Sequence, residues 1–335
     1  MIPPVSHELP RRRLLQAASA SLAVAAVGCG PRAGGRSAAT PIRFGGGASA
    51  VAAVAAREAG VFERLGLQVD VLPLKNGPSA VAATVAGALD FTFGDFLGWV
   101  AALSNGFVNS RLIAPANATG NQVILARKGS GVVTPADLVG RKVGVAAAPV
   151  FSLSVRLWLR RNGVDPAQVQ LVVIEQGPEH VLGRGDVDAI LVADPNAYQA
   201  IAQYGATILA GDPSAEVMPA GAGRACYYVN ADFLKARPET VTRVVQALRE
   251  GGQLFLQAAP VDRARLMEPY VGLGVAKMQA QMPGLIESFR YPPVQLGGFD
   301  VAANQSWVDI AVRERALPRP QRIAEFVDAR ALAAT

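Results

Sequence analysis

Beyond residue 40 the chain alternates between a two-residue and a three-to-four-residue hydrophobic rhythm. Ile42-Arg43-Phe44 predicts a strand that runs into Gly45-Gly46-Gly47-Ala48-Ser49, and a helix follows from Ala50 to Gly60, with Gly60 just past its end, where a left-handed residue is needed. Leu67 to Leu72 alternates and predicts the second strand. Asn76-Gly77-Pro78 opens a helix that ends near Gly87, with proline in its first turn, and Leu89 to Phe93 predicts the third strand. Further strands are predicted over 120–126, 143–145, 169–174 and 189–192, with a helical turn at 135–138 and a helix presenting Leu153, Leu157 and Trp158. Cys226 to Val229 reads as a return strand, followed by a helix from about Pro238 to Ala259 and others through 262–330. This alternation predicts parallel α/β layering.

One stretch repeats the wiring of another. Gly87-Ala88-Leu89-Asp90-Phe91 leads through a strand to Gly94-Asp95, and Gly185-Asp186-Val187-Asp188-Ala189 leads through a strand to Ala193-Asp194. Each places a glycine before a strand that starts at one aspartate and finishes at another. The echo predicts two α/β lobes of similar wiring, one from 42–122 and 224–335, the other from 123–223.

The first 28 residues follow a different pattern. Arg11-Arg12-Arg13-Leu14-Leu15 precedes an apolar run of fewer than ~15 residues, short of the ~20 that a membrane span needs. The paired arginines are similar to a twin-arginine export signal. Ala26-Val27-Gly28-Cys29 is similar to a lipobox, which makes Cys29 the expected lipidation site and 29–41 a tether to the folded part. A general secretory signal cleaved nearby, with Cys29 incidental, is the alternative. Either way the expected location is the periplasm or the outer face of the cytoplasmic membrane.

Composition narrows the chemistry. The chain has 335 residues, 51% of them hydrophobic, enough for two domains of about 150 residues each. The formal charge of +6 falls to 29 basic against 25 acidic residues once residues 1–28 are set aside. The remaining basic residues are scattered, so nucleic acid is not an expected partner. The chain is expected to be a monomer. There are two cysteines, Cys29 and Cys226, and two histidines, His7 and His180. A zinc site needs three or four His or Cys ligands, and a nucleophile–histidine pair would have to use His180, which lies in a turn-like stretch. No metal, cofactor or catalytic residue is therefore expected.

Ligands in open parallel sheets sit beyond the carboxyl ends of the strands, where helix starts favour anionic groups. Four loops qualify. They offer Gly47 and Ser49 after the first strand, Asp95 and Phe96 after the third, Phe151 and Ser152 in the second lobe, and Asp194 and Asn196 after a later strand there. Each has a plainer alternative: a tight turn at the glycines, helix caps at Asp95, Asp194 and Ser152, and core packing for the phenylalanines. Gly45-Gly46-Gly47 carries no nucleotide-binding fingerprint. No arginine lies in these loops, and Arg224, just before the return strand, is the nearest one able to clamp an anion bidentately. Asp95 and Asp194 favour instead a ligand bearing an amine or another donor.

Several segments carry a family resemblance in the right order over residues 42–255. They are Ala56 to Leu67, Gly87 to Phe91, Asp137-Leu138-Val139-Gly140-Arg141-Lys142-Val143-Gly144-Val145, Gly185 to Ala189, and Tyr228-Val229-Asn230-Ala231-Asp232-Phe233. Together they resemble the bacterial solute-binding proteins that feed ABC importers of nitrate, aliphatic sulfonates, taurine and thiamine-pyrimidine precursors. The resemblance implies a two-lobed periplasmic-binding-protein type II fold with a hinged interlobe cleft, a small-molecule ligand and a permease partner. Many members carry a proline and an aromatic near the first helix start; Gly45 to Val51 here implies a smaller, less aromatic pocket floor. A sensory module of the same fold and a pyrimidine-synthase-like enzyme are the alternatives. The enzyme would require a suitable histidine and clustered cysteines.

Overall fold

The computed structural model describes residues 41–46, 50–73, 77–117, 122–193, 196–271, 274–281 and 298–333. The expected signal, the tether with Cys29, and Gly47, Ser49 and Asp194 lie outside the described residues. Ten strands are present: β1 Ile42–Gly46, β2 Val69–Pro73, β3 Phe91–Asp95, β4 Ser110–Asn117, β5 Gln122–Ala126, β6 Lys142–Ala146, β7 Gln170–Ile174, β8 Ala189–Ala193, β9 Thr207–Gly211 and β10 Ala225–Asn230. They form two five-stranded sheets, ordered β2-β1-β3-β10-β4 and β7-β6-β8-β5-β9.

The two sheets are wired alike. In each, three neighbouring strands are parallel, and a fourth and fifth run antiparallel to their neighbours. The repeated aspartates have the same task in both. Asp90 accepts the backbone N–H of Arg43 at 2.8 Å and the Arg43 guanidinium at 2.7 Å. Asp188 accepts the backbone N–H of Lys142 at 3.1 Å and faces Arg127 and Arg141 at 3.4 and 3.5 Å. Each carboxylate thus ties the start of one parallel strand to the start of its neighbour.

β3 begins two residues later than the hydrophobic pattern suggests. Asp90 is spent on Arg43, and the ladder runs on through Asp95. β4 and β9 were not signalled by the pattern, and both are edge strands. Pro115 sits in β4 opposite Cys226, beside a register shift, as expected of a proline that cannot donate to a ladder.

Side chains alternate across β10 and so tie two cores to one sheet. Tyr227 and Val229 pack with Phe44, Phe91 and the Val51–Glu58 and Pro238–Gln257 helices. Cys226 and Tyr228 pack on the other face with Phe96, Trp99 and Trp307, and the Tyr228 and Trp99 rings stack at 4.9 Å. The second sheet has its own pair of cores, one around Val145, Trp158 and Leu191, the other around Leu182, Ile190 and Val192. No helix among the described residues is long and apolar enough to cross a membrane.

Candidate functional site

The topology brings the loop-bearing edges of the two sheets together. β1 and β3 end at Gly46 and Asp95, and antiparallel β10 starts beside them, with Ala225 opposite both Asp95 and Asn117. In the second sheet β6 and β8 end at Ala146 and Ala193, Gln122 lies opposite Ala193, and the Asp212 N–H donates to the Gln122 carbonyl at 2.7 Å. Asn117 and Gln122 are five positions apart, so these edges are separated by no more than about 18 Å of chain. The return crossing, from Asp212 to Arg224, joins the same two edges.

Arg224 stands at this meeting. Only 8% of it is exposed, and its Nη1 is buried with no hydrogen-bond partner. Its carbonyl accepts the Phe96 N–H at 2.8 Å, which fixes the backbone beside Asp95, and the Gly223 N–H just before it donates to buried Asn304 at 3.0 Å. Burial lowers the guanidinium pKa from its ordinary value, while Asp95 from one lobe and Asp212 from the other pull it back up. Leaving a buried donor unsatisfied costs about 1–3 kcal/mol, more for a charged one, so this nitrogen calls for an explanation.

Asp95 closes β3 and caps the Phe96–Ser104 helix, its Oδ1 accepting the Gly98 N–H at 2.8 Å. Its carboxyl is pushed up to about 6, chiefly by burial. The Gly98 N–H, Arg224 and the Leu97 N–H act in the opposite direction. The helix-cap alternative therefore describes Asp95, and its charge faces an arginine. Asp212 is a site neighbour that sequence reasoning missed. Its φ of 45° is left-handed, and it caps the Pro213–Val217 helix. The pair Asp212-Pro213 was the available signal, since aspartate then proline marks a helix start.

The other sequence-derived candidates fall differently. Phe96 is fully buried against Trp99 and Phe299, so its ring is core and not a pocket wall; only its N–H reaches the edge. Phe151 is half-buried where the two lobes touch, packing against a core from each. The helix of the second lobe starts at Pro149, so Ser152 lies inside it and is no cap: the N-cap is Ala148, and the Ser152 hydroxyl donates to the Pro149 carbonyl at 3.3 Å. Asn196 opens the Asn196–Tyr204 helix, but its amide donates to Glu179 at 2.7 Å. His180 is exposed within the Pro178–Arg184 helix, its Nδ1 2.7 Å from the Tyr204 hydroxyl. Among the described residues no cluster of His, Cys, Asp or Glu is arranged to hold a metal.

A family model described as NMT1/THI5 like matches residues 49–260. The chain belongs to this family. A relative from Brucella abortus, named as a binding protein, is 24% identical over 230 residues, covering 68% of this chain and 69% of its own length. Among solved structures, the alkanesulfonate-binding protein SsuA of Xanthomonas axonopodis pv. citri, bound to MOPS, matches with a TM-score of 0.70 at 18% identity, over 86% of this chain and 98% of that one. The periplasmic nitrate-binding protein NrtA of Synechocystis matches at 0.68 and 14% identity, over 87% of each chain. The desulfurization enzyme DszB shares the fold at 0.62 and 18% identity, covering 87% of this chain and 98% of its own. This NMT1/THI5-like chain therefore has the periplasmic-binding-protein type II fold that its sequence resemblance implied.

Fold sharing with an enzyme puts the cysteine in question. Cys226 is fully buried in β10, and burial pushes its thiol far up, away from the thiolate that a nucleophile needs. Among the described residues this family member has no other cysteine.

Proposed function

We propose that this protein is the solute-binding component of an ABC import system, capturing a small organic solute in the interlobe cleft and handing it to a permease. The observation that carries the reading is the meeting of two like-wired sheets at their carboxyl edges, with a buried, unsatisfied Arg224 between them. Such an edge is where open α/β sheets take ligands, and two chain crossings allow the lobes to close around one. Family membership and the binding proteins among its structural neighbours support the same reading. Sulfonates, taurine, nitrate and pyrimidine-like compounds are the candidate solutes. Gly47, Ser49 and Asp194 are proposed to complete the cleft wall with Phe151, Ser152 and Asn196. Export by the twin-arginine-like signal and lipidation of Cys29 would hold the protein at the outer face of the membrane, beside its transporter.

A thermal-shift screen of these solute classes tests the reading. A true solute at 100 times its Kd stabilises the protein by about 2.7 kcal/mol and is recovered unchanged. Conversion of a bound solute to product would replace the binding reading with the enzyme reading that DszB raises; the buried state of Cys226 speaks against that outcome.

A further inference from the structure

We propose that the cleft edge at Arg224 is a proton-coupled anion site, in which the carboxylate or sulfonate head of an organic solute pairs with the guanidinium while Asp95 takes up a proton from solvent. The inference rests on the solute-binding reading and names the charge class that it leaves open.

The Arg224 backbone lies beside Asp95, its carbonyl accepting the Phe96 N–H and Ala225 pairing with Asp95, and its guanidinium is within electrostatic reach of two carboxylates, Asp95 at the end of β3 and Asp212 just after β9, one from each sheet. The guanidinium keeps a buried Nη1 without a partner, so neither carboxylate satisfies it fully. A cationic ligand without an acceptor would leave that donor unmet, and a neutral acceptor would meet it without offsetting the buried positive charge. A carboxylate or sulfonate oxygen would meet it, and arginine's planar fork suits such head groups.

Bringing an anion in places a third negative charge beside the two aspartates. Removing one charge relieves this, and Asp95 is the group already displaced toward neutrality, to about 6. Among titratable groups Arg224 acts on it, and the Cys226 thiol and Tyr228 hydroxyl of β10, both kept protonated by burial, feel its charge in turn. Oδ1 of Asp95 accepts the Gly98 N–H, and a proton on the carboxyl turns one of its oxygens from an acceptor into a donor. The sign follows: anion affinity is full below the Asp95 pKa and falls as pH rises through it. If only protonated Asp95 admits the anion, the apparent Kd weakens about thirtyfold from pH 5.0 to pH 7.5.

The test uses the full chain with formate and methanesulfonate as anion probes and methylammonium and acetamide as controls, titrated calorimetrically at both pH values. Both anions are expected to bind more tightly at pH 5.0, where Asp95 is already mostly protonated, and to take up about one proton per anion at pH 7.5, read from the dependence of the heat on buffer. Arg224→Gln should remove anion binding, and Asp95→Asn should bind at pH 7.5 as the parent does at pH 5.0. Anion binding that is equal at both pH values in the parent overturns the proposal without reliance on any variant, and so does the absence of binding by either anion. Binding of methylammonium or acetamide alone would sink the anion site while leaving the solute-binding reading standing. That reading falls separately, if no solute class stabilises the protein in the thermal-shift screen.

Discussion

Asp95 carries two loads that respond to pH in different ways. As a helix cap it holds the Gly98 N–H, a bond worth about 1 kcal/mol that asparagine can also make. As a buried acid it has its pKa raised from 3.8 to about 6, so the folded chain holds this proton more tightly than the unfolded one. Stability from this group is therefore present below pH 3.8 and lost as pH rises through 6. Urea unfolding between pH 4 and 7.5 should show the parent losing ground to Asp95→Asn, which keeps the cap and has no charge to bury. Parallel curves for the two proteins would contradict the burial of that charge. Asp95 and Arg224 were each legible in the sequence from their places beside strands, but their meeting was not, because it depends on β3 and β10 pairing across some 130 positions. Phe96 and Asn196 lie at helix starts as expected, whereas Ser152 lies inside its helix. What the sequence hid was the partner of each: Trp99 and Phe299, the Pro149 carbonyl, and Glu179.

At the scale of elements, the short aspartate echo proved to be a structural device for fastening parallel strands. Asp90 is the tighter copy, with contacts of 2.7 to 3.2 Å to one arginine and its backbone, whereas the arginines around Asp188 stand at 3.4 and 3.5 Å. Asp90→Ala should cost about 1–3 kcal/mol and Asp188→Ala less, measured by chemical denaturation. Helix contact offers a sharper case. A Cβ on Gly251 of the Pro238–Gln257 helix would run into the Ala52 carbonyl and would lie 2.7 Å from the backbone nitrogen and the Cβ of Ala56. Gly251→Ala should lower the melting temperature despite alanine's better helix propensity, at a cost of about 1–3 kcal/mol from overpacking. Central strands and amphipathic helices were readable because their faces are buried in regular alternation. The edge strands β4 and β9 were not, since one carries Pro115 and the other exposes Ile208.

At the scale of the whole molecule, an ion pair spans the lobes away from the strand edges. Arg160 of the Pro149–Arg161 helix meets Glu314, which follows the Val301–Arg313 helix, through a fork of 2.7 and 3.2 Å. Arg160 holds the Glu314 carboxyl below its ordinary 4.5, so the stabilisation is present above that value and lost as pH falls below it. With Arg160 more than half exposed, the pair is worth less than about 1 kcal/mol, and high salt should weaken it further. Glu314→Gln should therefore leave overall stability nearly unchanged while shifting the balance of open and closed forms, read by small-angle scattering; a large loss of stability would mean that the pair is structural. The two crossings between lobes also set an order of assembly. Every strand of the second sheet lies within residues 122–211, but the first sheet lacks β10, the strand between β3 and β4, until residue 230 has been made. As the chain emerges during synthesis, the inner lobe can complete its sheet while the outer one still waits with β4 unattached. A fragment of residues 122–223 is accordingly expected to fold by circular dichroism, whereas a fragment of residues 41–117 is not.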